Sequence, residues 1–139
     1  MKRIIYLTSL LFAMLFMVGC THNNGDIGPW WGQWKVERIE LNGEPEANYK
    51  GDFFFRWQSS VICVVRSYPN SHSSGISYGN WSEHDGVMDV EFKEGGLEYE
   101  QLGLDKVCRL DIIKRDGREK ILEYKKDDKT VYTYYLKTW

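Results

Sequence analysis

Strict alternation of apolar and polar residues, broken at short intervals by pairs that tolerate positive φ, narrows the folds open to this chain more than any other feature. In "VMDVEFK" (87–93), Met88, Val90 and Phe92 face one way and Asp89, Glu91 and Lys93 the other, the mark of a half-buried strand. "DFFFRW" sets Phe53, Phe55 and Trp57 against Arg56, and "KVCRLDIIK" alternates until Ile113 joins the polar face. "KILEYKK" and "KTVYTYYLKTW" continue with Leu122, Tyr124, Tyr132, Tyr134 and Leu136. Asn42-Gly43, Asp85-Gly86, Gly95-Gly96 and Asp116-Gly117 supply hairpin turns, and Asp127-Asp128 another. No stretch of ten residues keeps a convincing helical period; "GLEYEQLGLD" (96–105) fits either a short helix or one more strand ending in a turn. The pattern predicts an all-β domain of 8–10 antiparallel strands, as an up-and-down β-barrel in preference to a sandwich. Closure removes the open edges that such a meander would expose.

The strands are preceded by a different kind of sequence. Lys2 and Arg3 lead into "IIYLTSLLFAMLFMV" (4–18), apolar except for Thr8 and Ser9. Fifteen residues fall short of the roughly 20 that a membrane span needs, and a basic start, apolar run and small residue compose a secretory signal peptide. The sequence "MVGC" resembles the lipobox of bacterial lipoproteins, with Met17 where Leu is usual. The resemblance implies that residues 1–19 are removed and that Cys20 receives a palmitate-type lipid. An ordinary signal peptide or an uncleaved anchor are the other readings. "THNNGDIGP" (21–29) favours turns and disorder, so residues 20–29 read as a tether and 30–139 as the folded domain. Only Asp26 follows the cysteine where surface-exported lipoproteins of the Bacteroides group carry an acidic cluster. The expected location is therefore the cell envelope, lipid-anchored, at the outer membrane facing the periplasm, with surface exposure left open.

Without residues 1–19 the chain keeps 16 of its 18 Lys and Arg and all 20 Asp and Glu, a net charge of −4. A mildly acidic, mixed surface argues against nucleic acid, which calls for a clustered basic face. An exported chain permits a disulfide. Cys63 shares a face with Val61 and Val65, and Cys108 with Leu110 and Ile112. Both are expected to point inward, as a bridge requires and as two core thiols would also do.

"GQW" (32–34) resembles the Gly-x-Trp at the first strand of lipocalins and related calycin barrels, where the tryptophan plugs one barrel end. In "WKVERIEL" the inward face shifts from Trp34 and Val36 to Ile39 and Leu41, which suggests a bulge. "NGEPEANYKG" (42–51) sits where lipocalins carry a loop over the mouth. "YGNWSEHDGVMDVEF" (78–92) and the terminal "VYTYYLKTW" are similar to strands of small lipocalin-like lipoproteins of Bacteroides-type bacteria. Trp34 is expected in the core at a barrel end, with Trp30 and Trp31 covering that end or at its rim. A strand-end Arg packs over the tryptophan in lipocalins; Arg109 and Arg115 are candidates by position alone.

The resemblance implies a small hydrophobic ligand held in or at the mouth of the barrel. Trp34, Phe55, Trp57, Tyr68, Tyr124 and Tyr134 are the expected contact residues. Yet Trp34, Phe53, Phe55, Trp57, Phe92, Tyr124 and either Tyr132 or Tyr134 all face inward in this reading. Each such side chain buries roughly 150–250 Å², enough together to fill an eight-stranded barrel. Gly79 and Ser82 are the small residues that would open a pocket beside them. The loops at 42–51 and 67–77, the latter with Tyr68 and Pro69, are the places for rim binding. The alternative function is a non-enzymatic protein-interaction or inhibitor module with a filled core. Partners are thus the membrane, a small ligand or an envelope protein.

Nothing points to catalysis. His22, His72 and His84 lack metal-ligand spacing, and no nucleophile elbow or phosphate-cradling loop occurs. The pairs Glu44/Glu46, Glu98/Glu100 and Asp127/Asp128 fall in expected loops or outward positions. We therefore expect no enzyme, no cofactor and no metal.

Overall fold

The computed structural model describes residues 28–139. The expected signal peptide, the expected lipidation of Cys20 and most of the expected tether lie outside the described residues. From Gly32 the chain runs β1 (Gly32–Leu41), β2 (Glu44–Pro45), β3 (Phe53–Gln58), β4 (Val61–Tyr68), β5 (Ser73–His84), β6 (Val87–Gly95), α1 (Glu98–Gln101), β7 (Val107–Lys114), β8 (Glu119–Asp127) and β9 (Thr130–Thr138). From β3 onward each strand pairs antiparallel with the next, and β1 pairs with both β3 and β9. Eight strands close into an up-and-down barrel; β2 is a two-residue addition to the end of β1. Both edges are paired and the core comes from within this span, so the domain can fold by itself.

Local chemistry sets the corners. Asn42 and Gly43 have φ of 53° and 82°, and Asp85 and Gly86 have 49° and 75°, two consecutive positive values as a type I′ hairpin turn requires. The shift inferred in β1 is a register break between Val36 and Arg38. The stray Ile113 marks a second, between Ile112 and Lys114. The 67–77 stretch differs from expectation. It is a hairpin rather than a long loop, with β4 reaching Tyr68 and β5 starting at Ser73. Ser67, Ser73, Ser74 and Ser77 are small strand residues, which the composition disguised as a loop.

The interior is filled. Phe55 stacks on Trp57 at 5.2 Å between ring centroids and meets the edge of Tyr134 at 6.0 Å; Trp57 in turn packs on Trp30 at 5.1 Å. Phe55, Trp57, Leu110, Leu122 and Tyr134 are wholly buried, so side chains from opposite walls occupy the axis. Gly79 opens no space: a Cβ there would lie 2.5 Å from the Glu91 carbonyl oxygen. That glycine serves close approach of backbones at a bulge, and Ser82 is exposed.

The two cysteines are free and separate. Cys108 belongs to the barrel core, whereas Cys63 packs with Phe54, Val65 and Ile76 in a second cluster. Its neighbours Ile62 and Val64 face the core, so period-two alternation places Cys63 on the outer wall. The inward expectation for Cys63 fails because "VICVVR" is apolar on both faces and alternation could not choose between them. Among the described residues no disulfide spans the wall.

Candidate functional site

At the end where the chain enters β1, three residues form the plug. Trp34 is buried and its Nε1 donates to the Trp30 carbonyl at 3.1 Å. Trp30 is also buried, and its Nε1 donates to Glu83 Oε2 at 2.8 Å. Lys120 is 1 % exposed; its Nζ stands 4.9 Å from the Trp30 ring centroid and 4.4 Å from that of Trp34, and donates to the Arg115 carbonyl. A lysine thus supplies the strand-end cation expected from Arg109 or Arg115. Arg115 ion-pairs with Glu83 at 2.7 Å, and Arg109 with Asp89 on the outer wall at 2.8 Å. Burial pushes the Lys120 ammonium below its ordinary pKa. Two ring faces and a carbonyl offset that desolvation. Of the two leading tryptophans, Trp30 covers the end and Trp31 is exposed at the rim.

The opposite end is the mouth, and the segment around α1 closes it. Tyr99 lies flat on Phe92, centroids 4.3 Å apart and planes 2° from parallel, while Leu102 and Leu104 are buried. Polar contacts hold the segment at both ends. Ser77, itself fully buried, accepts from the Glu98 backbone N–H at 2.9 Å and bonds to the Glu98 carboxylate at 2.8 Å. Tyr134 OH donates to the Leu102 carbonyl at 2.6 Å, and Tyr124 OH donates to Asp105 at 2.5 Å. That hydrogen bond holds Asp105 below the usual carboxylate range. Burial drives the Tyr134 and Tyr124 phenols above theirs.

Sequence reasoning grouped Trp34, Phe55, Trp57, Tyr124 and Tyr134 correctly as inward-facing, and the structure brings them into one packed core. It does not bring Tyr68 there: that ring sits at the end of β4 with the Arg66 guanidinium 5.1 Å away. Ser77, Leu102 and Lys120 went unremarked, and Glu98, expected in a loop or facing outward, is buried against Ser77 because α1 folds over the mouth. Lys120 had a signal, since it shares a period-two face with Leu122 and Tyr124.

A depression of about 300 Å³ opens between the 42–51 loop and the α1 segment, lined among others by Ile39, Tyr49, Glu100, Leu102 and Tyr132. Tyr49 anchors the loop by donating to the Val36 carbonyl at 2.5 Å. Gly103 is pressed on Tyr132, where a Cβ would come within 2.4 Å of the ring. Of two larger depressions, the one of about 610 Å³ is lined by adjacent strands, with Asn80–Ser82 beside Asp89–Glu91, and the one of about 740 Å³ by β1, β8 and β9 together with Tyr49–Gly51 of the loop. They are grooves along the wall, rich in charged side chains, so the smaller one is the better candidate. At the mouth Ile39 and Leu102 of the core, with Tyr132 packed against it, line a concave surface. The Trp57 and Trp81 indole N–H groups find no acceptor among the described residues.

A closed eight-stranded barrel with a tryptophan-plugged end and a looped mouth is a lipocalin-like fold. In fold the chain is similar to a lipocalin-like protein from Bacteroides uniformis, with a TM-score of 0.66 and 14% identity, over 81% of this chain and 100% of that one. An uncharacterized protein from Bacteroides eggerthii matches with a TM-score of 0.61 and 13% identity, over 79% and 99% of the two chains. No protein-family model and no curated protein sequence matches.

Proposed function

We propose that the protein is an envelope lipoprotein, anchored through Cys20 at the outer membrane and facing the periplasm, that binds a small amphiphile at the barrel mouth. The mouth depression carries this reading: between a loop and the α1 segment, core residues Ile39 and Leu102 line a concave surface open to solvent. Its volume stands at the low end for ligand pockets, which suits a short alkyl chain or single ring rather than a long lipid along the filled axis. Glu46 and Glu100 are among its lining residues and no Lys or Arg is. The field at the rim therefore favours a neutral or cationic head group over a carboxylate. The reading is of a binding protein, not an enzyme; the buried carboxylate among the described residues, Glu98, is already engaged by Ser77, and Asp105 by Tyr124 and Lys126.

The test is native mass spectrometry of the chain from residue 20, carrying Cys20→Ser, against an alkylamine, the matching alcohol and the matching carboxylate. Discrete adducts are expected, in the order amine, alcohol, carboxylate, weakened at least tenfold by Leu102→Glu; Glu100→Gln should narrow the amine's advantage. A bare protein mass with all three would end the ligand reading. It would leave the interaction or inhibitor module, which the filled axis favours.

A further inference from the structure

The outer wall has two unlike halves. On β6–β9 it is laced with ion pairs, Asp89 with Arg109, Asp111 with Lys125 and Glu119 with Lys114. On β3, β4 and β5 there is a single acidic residue, Glu83, and it is turned onto the Trp30 indole and Arg115. The outward positions there combine apolar side chains with uncharged polar ones and Arg56. Phe54, Cys63 and Val65 form a cluster of their own outside the core, extended by Val61 at 36% and Tyr78 at 42% exposure. Trp31 and Trp139 frame it at 47% and 76% exposure, Trp139 edge-on to Phe54 at 5.1 Å. Lys35 lies 5.7 Å from the Trp139 ring centroid, and Arg56 lies across from Cys63 in the ladder.

We infer that this face, framed by Trp31 and Trp139, docks the barrel side-on to an anionic phospholipid surface. The inference rests on the reading that the N-terminal segment holds the chain at a membrane. The occupant follows from two observations. First, the chain enters the barrel at Trp30–Trp31, beside the face, and Cys20 lies eight residues before Gly28. Even fully extended, that spans about 30 Å, so a membrane holding Cys20 is within reach of this wall. Second, the chemistry matches an interface. Tryptophan and tyrosine settle at head-group depth, and Lys35 and Arg56 are drawn to anionic lipid, about 1 kcal/mol for each near the surface, with the carboxylates Glu37 and Glu94 at the borders of the face. With this wall down, the mouth depression is left accessible from the side.

The test uses the Cys20→Ser chain from residue 20, which has no lipid, in flotation with phosphatidylcholine vesicles with and without phosphatidylglycerol. Binding to the anionic vesicles is expected, with a blue shift of tryptophan emission and loss at high salt. Trp31→Ser combined with Trp139→Ser should weaken it at least tenfold, and Lys35→Glu should weaken it independently. Val107→Ser, at an exposed position of β7, should leave it unchanged. Trp31, Val107 and Trp139 are exposed and Lys35 is half-buried, and circular dichroism melts check the fold of each variant. No binding by the parent chain, equal binding by the tryptophan variant, or a salt-resistant dimer formed through this face would each overturn the inference. Acylation is read separately, as the intact mass of the protein extracted from its own membranes, so either reading can fail without the other.

Discussion

Cys108 illustrates how burial rewrites the chemistry of one residue. Desolvation, with a contribution from Asp105, pushes its thiol up to about 12 from 9.0. A folded-state pKa above the unfolded one means the folded chain keeps a proton that the unfolded chain loses. The associated stability is therefore complete below about pH 9 and drains as pH climbs toward 12, by up to about 1.4 kcal/mol per pH unit. Between about pH 8 and about pH 10, urea titrations should show the parent losing about 1.4 kcal/mol more than Cys108→Val. Equal losses would mean that the thiol is not desolvated as described. Tyr124 and Tyr134 add losses of the same sign at higher pH, and both are present in parent and variant. Cys108 was legible, because Leu110 and Ile112 fix its face. Cys63 was not, since an outer wall that is itself apolar erases the alternation that would reveal it. Lys120 was legible in pattern but contrary to composition: a lysine on an inward face makes sense only once Trp30 and Trp34 are seen to stack around it.

The α1 segment is the element whose form depends most on its surroundings. Four helical residues have no stability of their own. Ser77, Tyr134 and three buried apolar side chains impose the conformation. That dependence explains why "GLEYEQLGLD" read equally well as helix or strand. The deciding contacts are with β5 and β9, far along the chain, and no local period records them. Ser77 is the sharpest test. Ser77→Ala removes the acceptor of the Glu98 N–H and the partner of its carboxylate, at a cost of about 1–3 kcal/mol. Hydrogen exchange should then accelerate across 97–105 well before the strands of β3 and β4 respond, since a closing element detaches locally when its pins are cut. Uniform acceleration across the barrel would show that the segment is integral to the core. The mouth would then be fixed rather than openable, and a ligand would be confined to the small depression already present.

At the level of the whole molecule, closure is the step that the sequence foretold for a general reason and could not locate. The strands and their turns are local patterns, and the period-two faces and the Asn-Gly and Asp-Gly corners show them directly. The seam between β1 and β9 is not local: it joins Val36 to Leu136, roughly 100 residues apart, and only the argument against open edges implied it. The same separation dictates how the barrel is assembled. Hairpins from β3 to β9 can form between sequence neighbours, whereas the seam must close a long loop before its contacts contribute. Seam contacts should therefore be absent from the folding transition state. Leu136→Ala, at a position 2 % exposed, should destabilise by about 2–5 kcal/mol. Nearly all of that change should appear as faster unfolding, with the refolding rate almost untouched. Leu110→Ala, on a strand flanked by its immediate neighbours, should slow refolding as well. A chevron in which Leu136→Ala slows folding as much as Leu110→Ala would show that β1 docks early. The barrel would then grow outward from its plugged end, where Trp30, Trp34 and Lys120 already stand together.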